Sequence, residues 1–224
     1  MVVSAHPEAT RIGVAVLQRG GNAYDAAVAV QFALAVALPV AGNIGGGGFV
    51  LYHGADGQPG ALDFRETAPA AATRDMYLDA AGNVVPNLST RGHRAAGVPG
   101  TVAGMWALHR KLGRLPWTAV LEPAVQLATL GLALTAKEAA GLNGQQADFG
   151  RFNPNSAYLK STPWQSGETI RHPELARTLA RIRDQGAAGF YAGETADLLV
   201  AEMQRDGGLI TRAGGDPKVA KAAV

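Results

Sequence analysis

Gly42-Asn43-Ile44-Gly45-Gly46-Gly47-Gly48-Phe49-Val50-Leu51-Tyr52 is the stretch on which the fold turns. Four consecutive glycines lose too much backbone entropy to form a helix or strand interior. They divide two regimes of periodicity. Upstream, Ala23 to about Leu38 is apolar nearly all round, which predicts a buried helix ended by Pro39. Downstream, Phe49 to Tyr52 reads as a strand. Ala55-Asp56-Gly57-Gln58-Pro59-Gly60 is turn chemistry. Ala61 to Arg65 reads as the returning strand, with apolar Leu62 and Phe64 alternating against polar Asp63 and Arg65. Two helices followed by an antiparallel hairpin predict an α+β chain. The same order excludes two nucleotide-binding readings. A phosphate loop needs its glycines to open a helix with a lysine, and a dinucleotide fold needs strand, glycines, helix. Here the glycines follow a helix, precede a strand and have no lysine nearby. Glycine is therefore expected to admit close approach by a neighbouring strand or a ligand.

Working outward, Pro7-Glu8 opens a first helix, with Ile12, Val16 and Leu17 on its apolar face and Gly20-Gly21 as its stop. Asn22 and Asp25 lie three residues apart, the spacing of a capping box. Further helices are predicted over Thr101 to Leu112, Trp117 to Leu130, Thr135 to about Asn143, Glu174 to Gln185 and Thr195 to Arg205. Gly150 to Gly167 reads as a loop.

The 224 residues are 47% hydrophobic and 17% charged, with a formal net charge of +2. This is globular composition, and it excludes a basic nucleic-acid binder. The absence of cysteine excludes a disulfide scaffold, a thiolate zinc site, an iron–sulfur cluster and a cysteine nucleophile. The most apolar run, Ala26 to Ala41, is interrupted by Gln31 and Pro39 and falls short of the ~20 residues that span a bilayer. No secretory signal pattern occupies the first residues.

Few side chains announce chemistry. His6, His53, His93, His109 and His172 have no metal-binding spacing, so each is expected to be solvated or structural. The serines lack a nucleophile elbow. Asp63, Glu66, Asp75 and Asp79 read as a solvated acidic face. Arg65 stands apart, at a strand end shortly after the glycine loop. A planar guanidinium there is either a carboxylate clamp or one half of a salt bridge to Asp63 or Glu66.

Four motifs in order carry a resemblance. Gly20-Gly21-Asn22-Ala23-Tyr24-Asp25-Ala26-Ala27-Val28-Ala29, Gly42 through Phe49, Asp63-Phe64-Arg65-Glu66-Thr67-Ala68-Pro69 and Pro99-Gly100-Thr101-Val102-Ala103-Gly104 resemble gamma-glutamyltransferase, from about Met1 to Gly207-Gly208-Leu209-Ile210-Thr211. The resemblance implies an N-terminal-nucleophile hydrolase of αββα sandwich type, two antiparallel sheets between helical layers, of which this chain is an incomplete, mostly helical portion. It implies a precursor cut into a large and a small subunit, with the new N-terminal threonine of the small subunit attacking the γ-glutamyl amide of glutathione or a related compound, and with its own amine as base. The acyl group then passes to water or to an amino acid or peptide.

By the same resemblance Arg65 binds the α-carboxylate of the γ-glutamyl group, and the glycine loop supports the site. No cofactor or metal is implied. The expected partners are γ-glutamyl compounds and the small subunit, not nucleic acid or a membrane span. Residues 1–211 are expected to form a large-subunit fragment and residues 212–224 a divergent tail, with the nucleophilic threonine outside the chain and the chain alone inactive. The family resemblance would place the full-length protein in the periplasm or outside the cell. Two alternatives stand beside this: a fragment of a related cephalosporin acylase, or a non-catalytic binding module.

Overall fold

The computed structural model describes residues 1–212. The tail expected from residue 212 onward lies, but for Arg212, outside the described residues. Helices α1 (Pro7–Gln18) and α2 (Ala23–Ala37) come first, followed by strands β1 (Phe49–His53) and β2 (Pro59–Asp63). After a single 3₁₀ turn at His93–Ala95 come α3 (Thr101–Leu112) and α4 (Trp117–Leu130). A two-residue strand β3 (Leu132–Ala133), α5 (Ala136–Gly144), α6 (Gln146–Phe152) and β4 (Thr169–Ile170) follow. Helices α7 (Pro173–Gln185), α8 (Ala188–Tyr191) and α9 (Gly193–Arg205) end the described chain. None of these helices is long and apolar enough to cross a membrane.

The starts of three helices follow from the sequence. His6 caps α1 by accepting the Glu8 N–H on Nδ1 at 3.1 Å. Asn22 and Asp25 form the expected capping box on α2. Thr135 and Glu138 form a second one on α5. The end of α2 is set by Pro39, which pushes Leu38 out of helical conformation.

The main core forms where α2 packs against α1 and α4, and α4 against α7. Phe32, Val28, Val16, Leu121, Leu179 and Ile182 are fully buried there. Each large side chain removed from water stabilises the fold by about 1.5–3 kcal/mol. Trp117 meets Phe32, Trp106 and His109 edge-on, with ring centroids at 5.8, 4.9 and 5.1 Å, and its indole N–H donates to the Ile182 carbonyl at 2.8 Å. A satellite cluster of Leu134, Ala139 and Ile170 lies under Tyr158 and Trp164.

Strands β1 and β2 are antiparallel, with Phe49 opposite Asp63 and His53 opposite Pro59. The returning strand begins two residues earlier than expected, because Pro59 takes the first ladder position, where a missing N–H is tolerated. The pairing still reaches Phe64, whose N–H donates to Gly48 at 3.0 Å. Leu62 and Phe64 are buried and Arg65 is exposed, as the alternation requires. Three short elements depart from the sequence reading: α6 runs into the expected loop, α8 follows α7 directly, and β3 pairs with β4. Each has too few residues to show a period. Among the described residues the sheets are these two antiparallel pairs, the β1–β2 hairpin and the long-range β3–β4 pair.

Candidate functional site

The segment Phe64-Arg65-Glu66 is fixed from both sides. Before it, Phe64 and Gly48 exchange two backbone hydrogen bonds. After it, Thr67 and Val98 form an isolated antiparallel bridge, with Val98 N–H donating to Thr67 at 2.8 Å. Two glycines pack directly against it. A Cβ on Gly47 would lie 2.4 Å from the Phe64 carbonyl oxygen, 2.7 Å from the Glu66 nitrogen and 2.8 Å from Arg65 Cα. A Cβ on Gly100 would lie 2.0 Å from the same carbonyl oxygen. No real Cβ tolerates such separations from backbone. The glycine run therefore does what its composition implies: it lets one backbone lie directly on another.

Helix α3 completes the clasp. Its first amides, Gly100 N–H and Thr101 N–H, both donate to the Gly46 carbonyl at 2.8 and 2.9 Å. One turn further, a Cβ on Gly104 would lie 2.3 Å from Phe64 Cγ. Gly100 and Gly104 are four residues apart and so share a helix face. Sequence reading missed their role, although that i, i+4 pair was the available signal.

Arg65 projects from this fixed backbone with 58% of its side chain exposed, and its Nε lies 3.1 Å from Glu66 Oε2. The predicted ion pair thus forms with Glu66. Asp63 instead accepts the Arg65 backbone N–H at 2.9 Å. The Glu66 contact lacks hydrogen-bond alignment, and Glu66 Oε2 is otherwise buried without a partner. Among the described residues no group takes the two Nη nitrogens of Arg65. The guanidinium is paired on its Nε side, and its terminal fork meets no partner among the described residues. That fork is the half that binds a carboxylate end-on.

The remaining acids separate from it. Asp75 pairs with Arg74 at 2.9 Å. Asp79 closes its own turn, and the Asn83 backbone N–H, first among its donors, holds its carboxyl below the usual value. The histidines are structural or on the surface. His6 bridges α1 to Glu138 at 3.1 Å, and His93 sits between Glu202 and Asp206. His109 binds the Leu115 carbonyl at 2.9 Å. His172 is buried, and burial outweighs the attraction of Glu174 to lower its pKa. His53 is exposed. A cavity of about 720 Å³ opens between α1 and α4, and Arg65 does not line it.

Fold and site together describe a mostly helical α+β chain with one exposed arginine on a closely packed strand end, its terminal nitrogens unpartnered among the described residues. Residues 9–214 match the family model described as gamma-glutamyltranspeptidase. The chain is 49% identical over 219 residues to the glutathione hydrolase proenzyme of Pseudomonas sp. strain A14, covering 96% of this chain and 38% of that protein. It superposes on the gamma-glutamyltranspeptidase of Helicobacter pylori with a TM-score of 0.90 and 45% identity, covering 96% of this chain and 62% of that one. A cephalosporin acylase from Bacillus halodurans superposes with a TM-score of 0.82 at 28% identity, over 93% of this chain and 40% of that one. The chain belongs to the gamma-glutamyltranspeptidase family. It spans less than two fifths of the length of the Pseudomonas relative.

Proposed function

We propose that this chain supplies the substrate-carboxylate clamp of a γ-glutamyl hydrolase or transferase. Arg65 holds the α-carboxylate of the γ-glutamyl group. A small subunit of the same precursor supplies the threonine nucleophile and the rest of the αββα sandwich. The observation that carries this reading is the Nη fork of Arg65, unpartnered among the described residues, on a backbone packed closely against two segments, residues 46–48 and 98–104. Clamping the α-carboxylate orients the distant γ-carbonyl toward a nucleophile, so the binding energy is spent on alignment. Greater identity to a glutathione hydrolase and a gamma-glutamyltranspeptidase than to a cephalosporin acylase favours a γ-glutamyl substrate over another acyl group.

The partner surface is the hairpin. Phe49 and Leu51 project from the same side of β1 and are 66% and 85% exposed. The outer edges of β1 and β2 are unpaired among the described residues. An exposed apolar strand with a free edge favours addition of further strands, and strands of the small subunit fit that need. Residues 1–211 act in this reading as one structural unit.

The experiment is a comparison of Arg65→Ala and Arg65→Lys in the two-subunit enzyme, measuring kcat/KM for a γ-glutamyl anilide together with precursor self-cleavage. Arg65→Ala is expected to cost on the order of 2–5 kcal/mol in kcat/KM, the scale of truncating one member of a desolvated charge pair. Lysine keeps the charge without the planar fork and rescues little. Self-cleavage, which involves no free substrate, continues in both. Near-normal kcat/KM in Arg65→Ala removes the clamp. Lost self-cleavage assigns Arg65 to structure.

A further inference from the structure

We propose that Tyr191 is a positioning residue for Arg65: its hydroxyl supplies the N-terminal cap that α3 cannot supply for itself. This rests on the reading of Arg65 as a carboxylate clamp. The first N–H groups of a helix have no partner within it, and an Asn, Asp, Ser or Thr at the N-cap usually accepts one. Helix α3 starts at Gly100, which has no side chain, and no side-chain cap is made there. A capping side chain is sterically forbidden, because any Cβ at this position meets the Phe64 carbonyl oxygen at 2.0 Å. The close approach that seats Arg65 therefore costs the helix its own cap.

Two distant groups replace it. The Gly46 carbonyl accepts from Gly100 and Thr101. The Tyr191 hydroxyl accepts from Ala103 N–H at 3.2 Å and donates to the Pro99 carbonyl at 2.9 Å. One hydroxyl thus joins the residue before the cap to the third residue of the helix. Tyr191 reaches it from α8, and its ring packs edge-on against Phe190 with centroids 4.9 Å apart. The first turn of α3 in turn rests on the Phe64 carbonyl through Gly100 and on the Phe64 ring through Gly104, with no flexible side chain of its own between. Close-packed contacts of this kind pass a displacement on rather than absorb it. Any shift of the α3 start reaches the peptide that carries Arg65, and a clamp that must align a substrate works only within about 0.5 Å of its productive position.

The test is Tyr191→Phe in the full chain, which keeps the ring and removes both hydrogen bonds. Residue-resolved hydrogen exchange is measured together with titration by L-glutamate, followed on the Gly47 and Glu66 backbone N–H signals, which every variant retains. Tyr191→Phe is expected to speed exchange at Ala103, Thr101 and Phe64 by tenfold or more. Leu121 and Leu179 in the core helices should keep their protection, and apparent glutamate affinity should fall three- to tenfold. Tyr158→Phe, a change at a tyrosine of the satellite cluster, should leave both readouts unmoved. Arg65→Ala on the same titration separates the two ideas. If Arg65→Ala binds glutamate as the parent does, the clamp is wrong. If Arg65→Ala is impaired while Tyr191→Phe shows parental affinity and parental exchange at Phe64, Tyr191 has no positioning role. A lowered melting temperature with those two readouts unchanged also overturns it, since that is what a purely structural tyrosine would produce.

Discussion

Asp25 offers the sharpest test of how this sequence holds its fold. It is completely buried in the first turn of α2. Its carboxylate accepts from three backbone N–H groups: Asn22 at 2.9 Å, Arg114 at 3.0 and 3.1 Å on its two oxygens, and Leu115 at 3.2 Å. His109 Nε2 stands 3.6 Å away. One side chain therefore ties the start of α2 to the turn between α3 and α4. Asp25→Asn preserves the shape. Its single oxygen is best placed where Oδ2 was, keeping all three donors, and its NH₂ then faces the Arg114 N–H and the His109 ring. Bonds to a charged acceptor contribute about 1.5–3 kcal/mol and neutral ones about 0.5–1.5, so three bonds lose roughly 1 kcal/mol each. The expected loss is about 2–4 kcal/mol. Asp25→Ala leaves the three donors with no acceptor at all and costs at least ~1 kcal/mol more, a large share of the 5–15 kcal/mol typical of a whole domain. Urea unfolding followed by circular dichroism measures both. A loss below about 0.5 kcal/mol in Asp25→Asn, or equal losses in the two variants, refutes the assignment of a charged acceptor.

Gly47→Ala places a methyl against three backbone atoms of Phe64, Arg65 and Glu66, so it should destabilise by about 1–3 kcal/mol and shift the Arg65 resonances; an unchanged melting curve with unchanged Arg65 signals counts against the clasp. For pH, the folded state holds His172 below the ordinary imidazole value of 6.5 because it is buried. The unfolded chain takes up that proton first as pH falls, so this contribution is complete above pH 6.5 and lost below it. His172→Phe, which keeps a ring beside Tyr158, should therefore lose less stability than the parent between pH 7.5 and pH 5.0, as read from urea midpoints; parallel losses would refute it.

Much of the helical layer was legible because its signals are local. Asn22 with Asp25 and Thr135 with Glu138 start helices by chemistry confined to three residues, and Pro39 stops one by sterics with its neighbour. The hairpin was legible because turn residues separate two apolar runs. Pro59 moved its boundary, since a ladder position without an N–H still counts as paired. The two-residue strands β3 and β4 were not legible: Leu132–Ala133 and Thr169–Ile170 pair across more than thirty residues and carry no period of their own. At the site, the exposed strand-end position of Arg65 and the meaning of the glycine run could be read. The choice between clamp and salt bridge could not, because it depends on which atoms of one guanidinium are engaged. The structure shows the salt bridge, Nε against Glu66, and leaves the terminal fork without a partner among the described residues.

The Pro99-Gly100-Thr101-Val102-Ala103-Gly104 stretch shows why motif and mechanism can stand far apart. As a local signal it is a poor helix start: glycine at the cap, no acidic residue in the first turn and another glycine four residues on. A helix forms there because Gly46 and Tyr191, from two other parts of the chain, take over the capping. The local cost is accepted at the one place where the backbone must come within contact of Phe64. A sequence that breaks a helix-start rule so completely, and folds, must be satisfying a tertiary demand. Here the demand is the close approach of Gly47 and Gly100 to the peptide that carries Arg65, with no side chain in the way. Restoring a good cap should therefore be harmful: Gly100→Ser improves the local signal and destroys the contact.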